Sequence, residues 1–217
     1  MIVLAIDAAL GGFSAALTQD TTALAVLELP GNVALEQGLS ALAQVLGKAG
    51  VRQSGIDRLA VGIGPGSFTG VRIAISYAKS LALGWHRPLV AVNSFDAIEA
   101  GAALREPLLA VVRGRAGVVS VRYRHVGKEQ RSSGYVNDVL DELGSPPGEM
   151  LTVIGDAEDV LPGLAERGFS VRKIDRAILP TALAVATVAA SREPAQSSHE
   201  IRADYGELPA AKVPKHL

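Results

Sequence analysis

The sequence predicts an α/β protein built from two related halves. Three observations carry this. Short apolar, β-branched runs come in groups, with helical periodicities between them. The segment LAIDAALGGFSAA (4–16) lies over LAVVRGRAGVVSV (109–121) at a gapless shift of 105 residues, the self-similarity expected of a duplication. Between the two copies, GIGPGSFTGVRIAISYAKSLALG (62–84) reads as a Gly-rich loop running into a long apolar helix. With 217 residues, 48% of them hydrophobic and 20% charged, the chain can bury a real core.

The elements follow in order. IVLAIDAAL (2–10), FSAALTQ (13–19) and TALAVLEL (22–29) read as three strands, the first two separated by a Gly-Gly turn signal. Pro30-Gly31-Asn32 breaks the chain. From 34 to 49, Leu35, Leu39, Leu42, Leu46 and Ala49 recur at steps of three or four, one face of a helix stopped by Gly50. Strands are expected at 57–64 and 88–94, with helices at 70–84 and 95–104. The run 106–126 looks like a second beginning. Beyond it a helix is expected at 135–143, a strand at 150–156, a short helix to Arg167 and a strand at 169–175. An apolar helix spans 179–192, with Pro180 near its start. From Glu193 the tail is polar and expected to be loosely held. The expected division is 1–104 and 105–217, the 179–192 helix packing back on the first half.

Composition excludes some chemistry. The net charge is −1 and the pI about 6.4, so a strong solitary nucleic-acid binder is not expected. There are no cysteines, hence no disulfide, thiolate site or Cys nucleophile. The start MIVLAIDAAL lacks the form of a secretory signal, and no apolar run approaches the ~20 residues of a membrane span. A soluble cytoplasmic protein is the expectation.

The Gly-rich loop invites a phosphate reading. It fails both G-x-x-x-x-G-K-[ST] and G-x-G-x-x-G. Gly64, Gly66, Ser67, Thr69, Gly70 and Arg72 still form a possible anion site at a helix N-terminus. The alternative is that the glycines make a tight turn and Ser67 or Thr69 caps the helix. Asp7, at the end of the first strand, is the best lone carboxylate: a metal or water holder in a phosphate-handling fold, or a turn cap. The histidines, His86, His125, His199 and His216, show no ligand spacing, and no metal site is expected. G-x-S-x-G is missed by one position.

The helix after the loop is apolar over most of its circumference, with Arg72, Ser76, Lys79 and Ser80 confined to one stripe. It is either a central core helix or partly a subunit interface. Ala74, Ala78 and Ala82 form a flat line where a second helix can approach. The interface reading assigns Val71, Ala74, Ile75, Ala78, Leu81 and Ala82 to a partner, with Leu39, Leu42 and Leu46 of the preceding helix. On that reading Ala78→Glu breaks association and leaves the monomer folded.

GPGSFTGVRIAISYAKSLALG closely resembles the signature GPGSFTGLRIG…AKGLA of the TsaB (YeaZ) family. VLAIDAALGGFSAAL resembles the family's opening ILAIDTS…SVAL, LLAVVRGRAGVVSVRY sits where the family has AAIDARRGEVY, and EIRADYGE loosely resembles the closing YLR…YAE. The resemblance implies an actin/Hsp70-like fold of two duplicated subdomains. It implies a non-catalytic scaffold that binds and activates TsaD, with TsaE in a ternary complex, for N6-threonylcarbamoyladenosine at position 37 of tRNA. ATP and Mg²⁺ are then expected on the partner subunits and no cofactor here. A homodimer is expected for the chain alone, and tRNA contact only through the complex. A nucleotide-binding ATPase or transferase, or an M22-type peptidase, are the alternatives. The chain departs from the family at Ala8, where a hydroxyl is usual, at Arg113 and Val118, where Asp and Glu are usual, and at LEQGLS (35–40), where a His-Ser pair is usual. The resemblance makes Asp7 a vestigial nucleotide position.

Overall fold

A computed structural model describes residues 1–10, 12–20, 22–30, 33–101, 104–174 and 181–206. Leu179 and Pro180, the side chain of Leu35 and the last residue of EIRADYGE lie outside them.

Among the described residues ten strands form two five-stranded mixed sheets of one topology. In the first, β1 (Ile2–Asp7), β2 (Gly12–Gln19) and β3 (Thr22–Pro30) run antiparallel, and β4 (Arg58–Gly62) and β5 (Leu89–Val92) add in parallel. The order is β3-β2-β1-β4-β5. In the second, β6 (Leu108–Arg113), β7 (Val118–His125) and β8 (Lys128–Tyr135) repeat the antiparallel meander, with β9 (Leu151–Gly155) and β10 (Val171–Lys173) in parallel. The repeat seen in sequence is therefore a repeat of topology. Its register carries one refinement. Asp7 pairs with Ser14, whereas Val112, 105 residues after Asp7, pairs with Ser120, which lies 106 residues after Ser14. The second hairpin holds one residue more in its turn, so the gapless match runs one residue out of register in its second strand.

The first three strands, α1 (Ala34–Ala49), β4 and β5 fall where the sequence places them, give or take their ends. α1 stops on Gly50 in the left-handed conformation (φ 65°), its N–H donating to the Gly47 carbonyl at 3.1 Å and the Val51 N–H donating to the Leu46 carbonyl at 3.1 Å. α2 (Phe68–Trp85) outruns the expected end. Gly84 stays helical, and His86 takes the left-handed cap (φ 52°) instead. The remaining helices are α3 (Ser94–Glu99), shorter than expected, α4 (Val136–Glu142), α5 (Leu161–Glu166) and α6 (Thr181–Ala189). β8, KEQRSSGY, shows no apolar alternation and was not foreseen. As an edge strand it pairs with β7, and Gln130 and Ser132 bond Glu142 at the end of α4, contacts that composition does not report.

Two layers of core lie on the first sheet. One face packs β1, β2 and β4 against α1 and α2 through Leu4, Phe13, Leu42, Val45 and Val71. The other packs Val3, Ala5, Ala16 and Ala60 against Ala182, Val185 and Ala186 of α6. α6 is apolar all round because α3 covers it as well. Ser14 on β2 caps it, its hydroxyl accepting from the Ala182 N–H at 2.9 Å.

The expectation of a loose tail fails for residues 193–206. Ala195 N–H donates to the Leu89 carbonyl at 3.0 Å and Asp204 N–H to Ile63 at 2.7 Å. Asn93 Nδ2 donates to Asp204 Oδ2 at 2.8 Å, and Ile201 is buried. Two backbone bonds, the Asp204 side chain and the buried Ile201 tie the segment to the fold, so its polarity does not mean disorder.

Candidate functional site

Three places carry the candidate residues: the turn after β1, the loop and helix that follow β4, and the cleft between the sheets.

Asp7 ends β1 and is 1% exposed. Its Oδ2 accepts from the Ala9 N–H at 2.9 Å. Burial pushes its carboxyl up to about 6, while the N–H of Ala9, the Thr181 hydroxyl and the N–H of Leu10 pull it back. Its Oδ1 lies so close to Gly62 that an added Cβ there would sit 1.9 Å away. Asp7 is thus a buried turn cap, its Oδ2 bonded to the Ala9 N–H and its Oδ1 packed against Gly62. The residues present do not fit a metal ion at this position. Among the described residues no group of three or more His, Asp or Glu is placed to hold one.

The signature loop is built against that same turn. Ser67 N–H donates to the Ala9 carbonyl at 2.9 Å. A Cβ on Gly70 would meet the Ala8 carbonyl oxygen at 1.9 Å, and one on Gly66 (φ 151°) the Ala9 oxygen at 2.2 Å. The Ala9 carbonyl therefore takes the Ser67 N–H at the mouth of α2, and the Ala8 carbonyl lies against its first turn at Gly70. Ser67 caps the helix, its hydroxyl accepting from Gly70 N–H at 3.2 Å. Thr69 is exposed and makes no such bond, and Arg72 lies over the exposed Phe68 ring, 4.9 Å from its centroid. Gly64 (φ 95°) lets the Asp204 carbonyl approach where a Cβ would be 2.1 Å away.

The residues expected to face a partner divide in two. Val71, Ala74, Ile75, Ala78, Ala82 and Leu42 are 8% exposed or less, inside the chain's own core. The partner-facing role does not fit them, and the line of alanines serves another purpose. Small side chains at Ala74, Ala78 and Ala82 let α2 lie close on the sheet. Ala78 is fully buried, so Ala78→Glu would strike the fold and not an interface. Leu39 is 55% exposed, Leu46 and Leu81 are half-buried, and Leu83, not among the expected residues, is 67% exposed. α1 and α2 meet at Gly38, whose missing Cβ admits the Tyr77 ring. Tyr77 stands edge-on to Phe13 at 6.1 Å.

Between the sheets lies a cleft of about 430 Å³. The side of the first sheet contributes a mostly apolar wall, including Leu10, Ala97, Ile98 and Ala184 of α6, with the hydroxyl residues Ser67 and Thr181 beside them. The second contributes Arg113, Asp156, Glu158 and Lys173 at the ends of β6, β9 and β10. Arg113 Nε pairs with Asp156 Oδ2 at 3.1 Å, and Lys173 pairs with Glu158. Sequence reasoning noted Arg113 only as a departure and missed the other three. The available signal was position: strand C-terminal ends line ligand crevices in α/β sheets.

Comparison with known proteins then places the molecule. The family model described as TsaD, tRNA N6-adenosine threonylcarbamoyltransferase, matches residues 34–194. The chain is 32% identical over 192 residues to the tRNA threonylcarbamoyladenosine biosynthesis protein TsaB of Escherichia coli, covering 84% of this chain and 83% of that protein. The chain belongs to the TsaB family. The structure of YeaZ from Pseudomonas aeruginosa superposes with a TM-score of 0.67 at 25% identity, covering 94% of this chain and 99% of that one. The tRNA N6-adenosine threonylcarbamoyltransferase of Gluconobacter oxydans is 32% identical over 134 residues, which are 58% of this chain and 37% of that enzyme. The chain thus spans well under half the length of that transferase. The TsaB family is one of tRNA threonylcarbamoyladenosine biosynthesis, and its actin-like architecture of two duplicated subdomains is the one described above. Among the described residues no helix is long and apolar enough to cross a membrane.

Proposed function

We propose that this chain is a cytoplasmic, non-catalytic partner subunit that binds and activates TsaD in forming N6-threonylcarbamoyladenosine at position 37 of tRNAs reading ANN codons. The observation that carries this is the TsaB-family match over most of the chain. Two features of the molecule support it. In the turn after β1 the N–H groups of Ala9 and Leu10 are spent on Asp7 and are not offered to a nucleotide phosphate. The outer sides of α1 and α2 keep Leu39 and Leu83 in solvent, with Leu46 and Leu81 at their margins. These four residues are the proposed contact with TsaD, and with a second copy when the chain is alone. TsaE joins as a third component, and tRNA is met through the assembly. ATP and Mg²⁺ are carried by the partners.

The test is co-expression with the cognate TsaD, followed by sizing and a tRNA modification assay. Co-purification and TsaD-dependent modification are expected, and Leu39→Glu with Leu83→Glu abolishes both. A chain that stays monomeric and fails to hold TsaD overturns the reading. So does ATP binding by the isolated chain tighter than about 10 μM, or about −6.8 kcal/mol, which would favour an ATPase.

A further inference from the structure

We propose that the cleft between the two sheets binds a zwitterionic small molecule with an apolar body, of the class of the larger free amino acids and short peptides. The argument begins with size. About 430 Å³ lies within the range of small-molecule sites, roughly 300–1,000 Å³, and both halves of the molecule line it.

The two walls differ in kind. Leu10, Ala97, Ile98 and Ala184 offer a surface suited to an apolar body, with Ser67 and Thr181 the polar side chains beside it. The facing wall carries two cations, Arg113 and Lys173, and two carboxylates, Asp156 and Glu158, each cation paired to a carboxylate. Among the described lining residues its charge is balanced. A phosphate would bring negative charge without an uncompensated cation among the described lining residues to meet it, and in the neighbouring turn Asp7 already takes the N–H groups of Ala9 and Leu10. A simple cation meets the converse problem. A zwitterion replaces each partner in kind: its carboxylate takes the place of Asp156 or Glu158 on a cation, and its ammonium takes the place of a cation on the carboxylate released.

The exchange is cheap because the pairs are exposed. Arg113 and Asp156 side chains are 52% and 39% exposed, those of Lys173 and Glu158 28% and 66%. Ion pairs this wet contribute little net stability. Inside a filled cleft the same charges are drier and their contacts with the ligand stronger. Asp156 is held in place for this, its N–H donating to the Val111 carbonyl at 3.0 Å.

Titration calorimetry and amide chemical-shift mapping on the full chain test the proposal. The probes are L-phenylalanine and L-leucyl-L-leucine, with N-acetyl-L-phenylalanine (no ammonium), L-phenylalaninamide (no carboxylate), adenosine and ATP as comparisons. Saturable binding of a zwitterion is expected, with shifts at Ala97, Gly155 and Ala184. Either blocked derivative should bind at least about tenfold more weakly, as should the parent to Arg113→Gln. Three results overturn it: no saturable binding up to about 10 mM, equal binding of the blocked derivatives, or preferential binding of adenosine or ATP. The measurement needs no partner protein, so its failure is distinct from failure of the TsaD reading.

Discussion

Asp7 shows how one residue's chemistry is set by what closes around it. Its carboxyl titrates near 6 because burial penalises the charge more than its hydrogen bonds repay. The folded value lies above the ordinary 3.8, so the stability it confers is whole below pH 3.8 and is lost as pH rises through about 6. Asp7→Asn should remove this slope. Denaturant midpoints measured from pH 4 to 7 should show wild type losing about 2–3 kcal/mol relative to the variant, and parallel curves would refute the assignment. Asp96 has the opposite sign. Burial alone would raise it, but hydrogen bonds from Arg122 and Arg192 hold it below the usual carboxylate range. Its contribution is present above the unfolded value and fades as pH falls. Position and residue type made Asp7 a candidate in the sequence. Its role was not legible there, because Gly62 and Thr181 reach it from 55 and 174 residues away.

At the scale of elements, α2 is the instructive case. Its nearly continuous apolar surface was legible, and so was the line of alanines. Which side faces the sheet was not, since periodicity reports a face without naming what covers it. The structure turns Ala78 inward and leaves Leu83 outside. Two substitutions separate the sides. Ala78→Glu buries a carboxylate among apolar side chains and should cost the monomer at least about 3 kcal/mol, or its fold. Leu83→Glu should move stability by no more than about 0.5 kcal/mol. Thermal unfolding of both variants checks this, and an Ala78→Glu protein as stable as wild type would place α2 wrongly. β8 teaches the converse: a polar run became a strand because β7 offered it a complete ladder, a condition that lies outside the run itself.

Across the whole molecule, the two halves are joined in three ways. Phe95 and Ile98 of α3 pack against Leu108, Ala110 and Ile154 of the second sheet. The residues 201–206 cross from Ile63 to Ser120 and Ser133, against which Gly206 fits. The third joint is ionic. Arg122, 5% exposed at its side chain, bonds Asp96 at 2.5 Å and Glu99 at 2.6 Å; Arg124 adds to Glu99, and Arg192 to Asp96 at 2.7 Å. Removing Arg122 leaves two carboxylates in a half-buried joint facing fewer cations. Arg122→Ala should cost about 3 kcal/mol in urea unfolding, against under about 1 kcal/mol for an exposed arginine such as Arg131. Equal, small losses would mean the joint is held by apolar packing alone.

By itself the sequence determined the strand-and-helix order apart from β8, the duplication and the family signature, because each is a pattern within short stretches of residues that are neighbours in the chain. Tertiary structure alone decided which face of α2 is core, what caps Asp7, how the tail is held and where the cleft's four charges meet. Those depend on contacts between residues far apart in the chain, and a local pattern contributes one side of such a contact without naming the other.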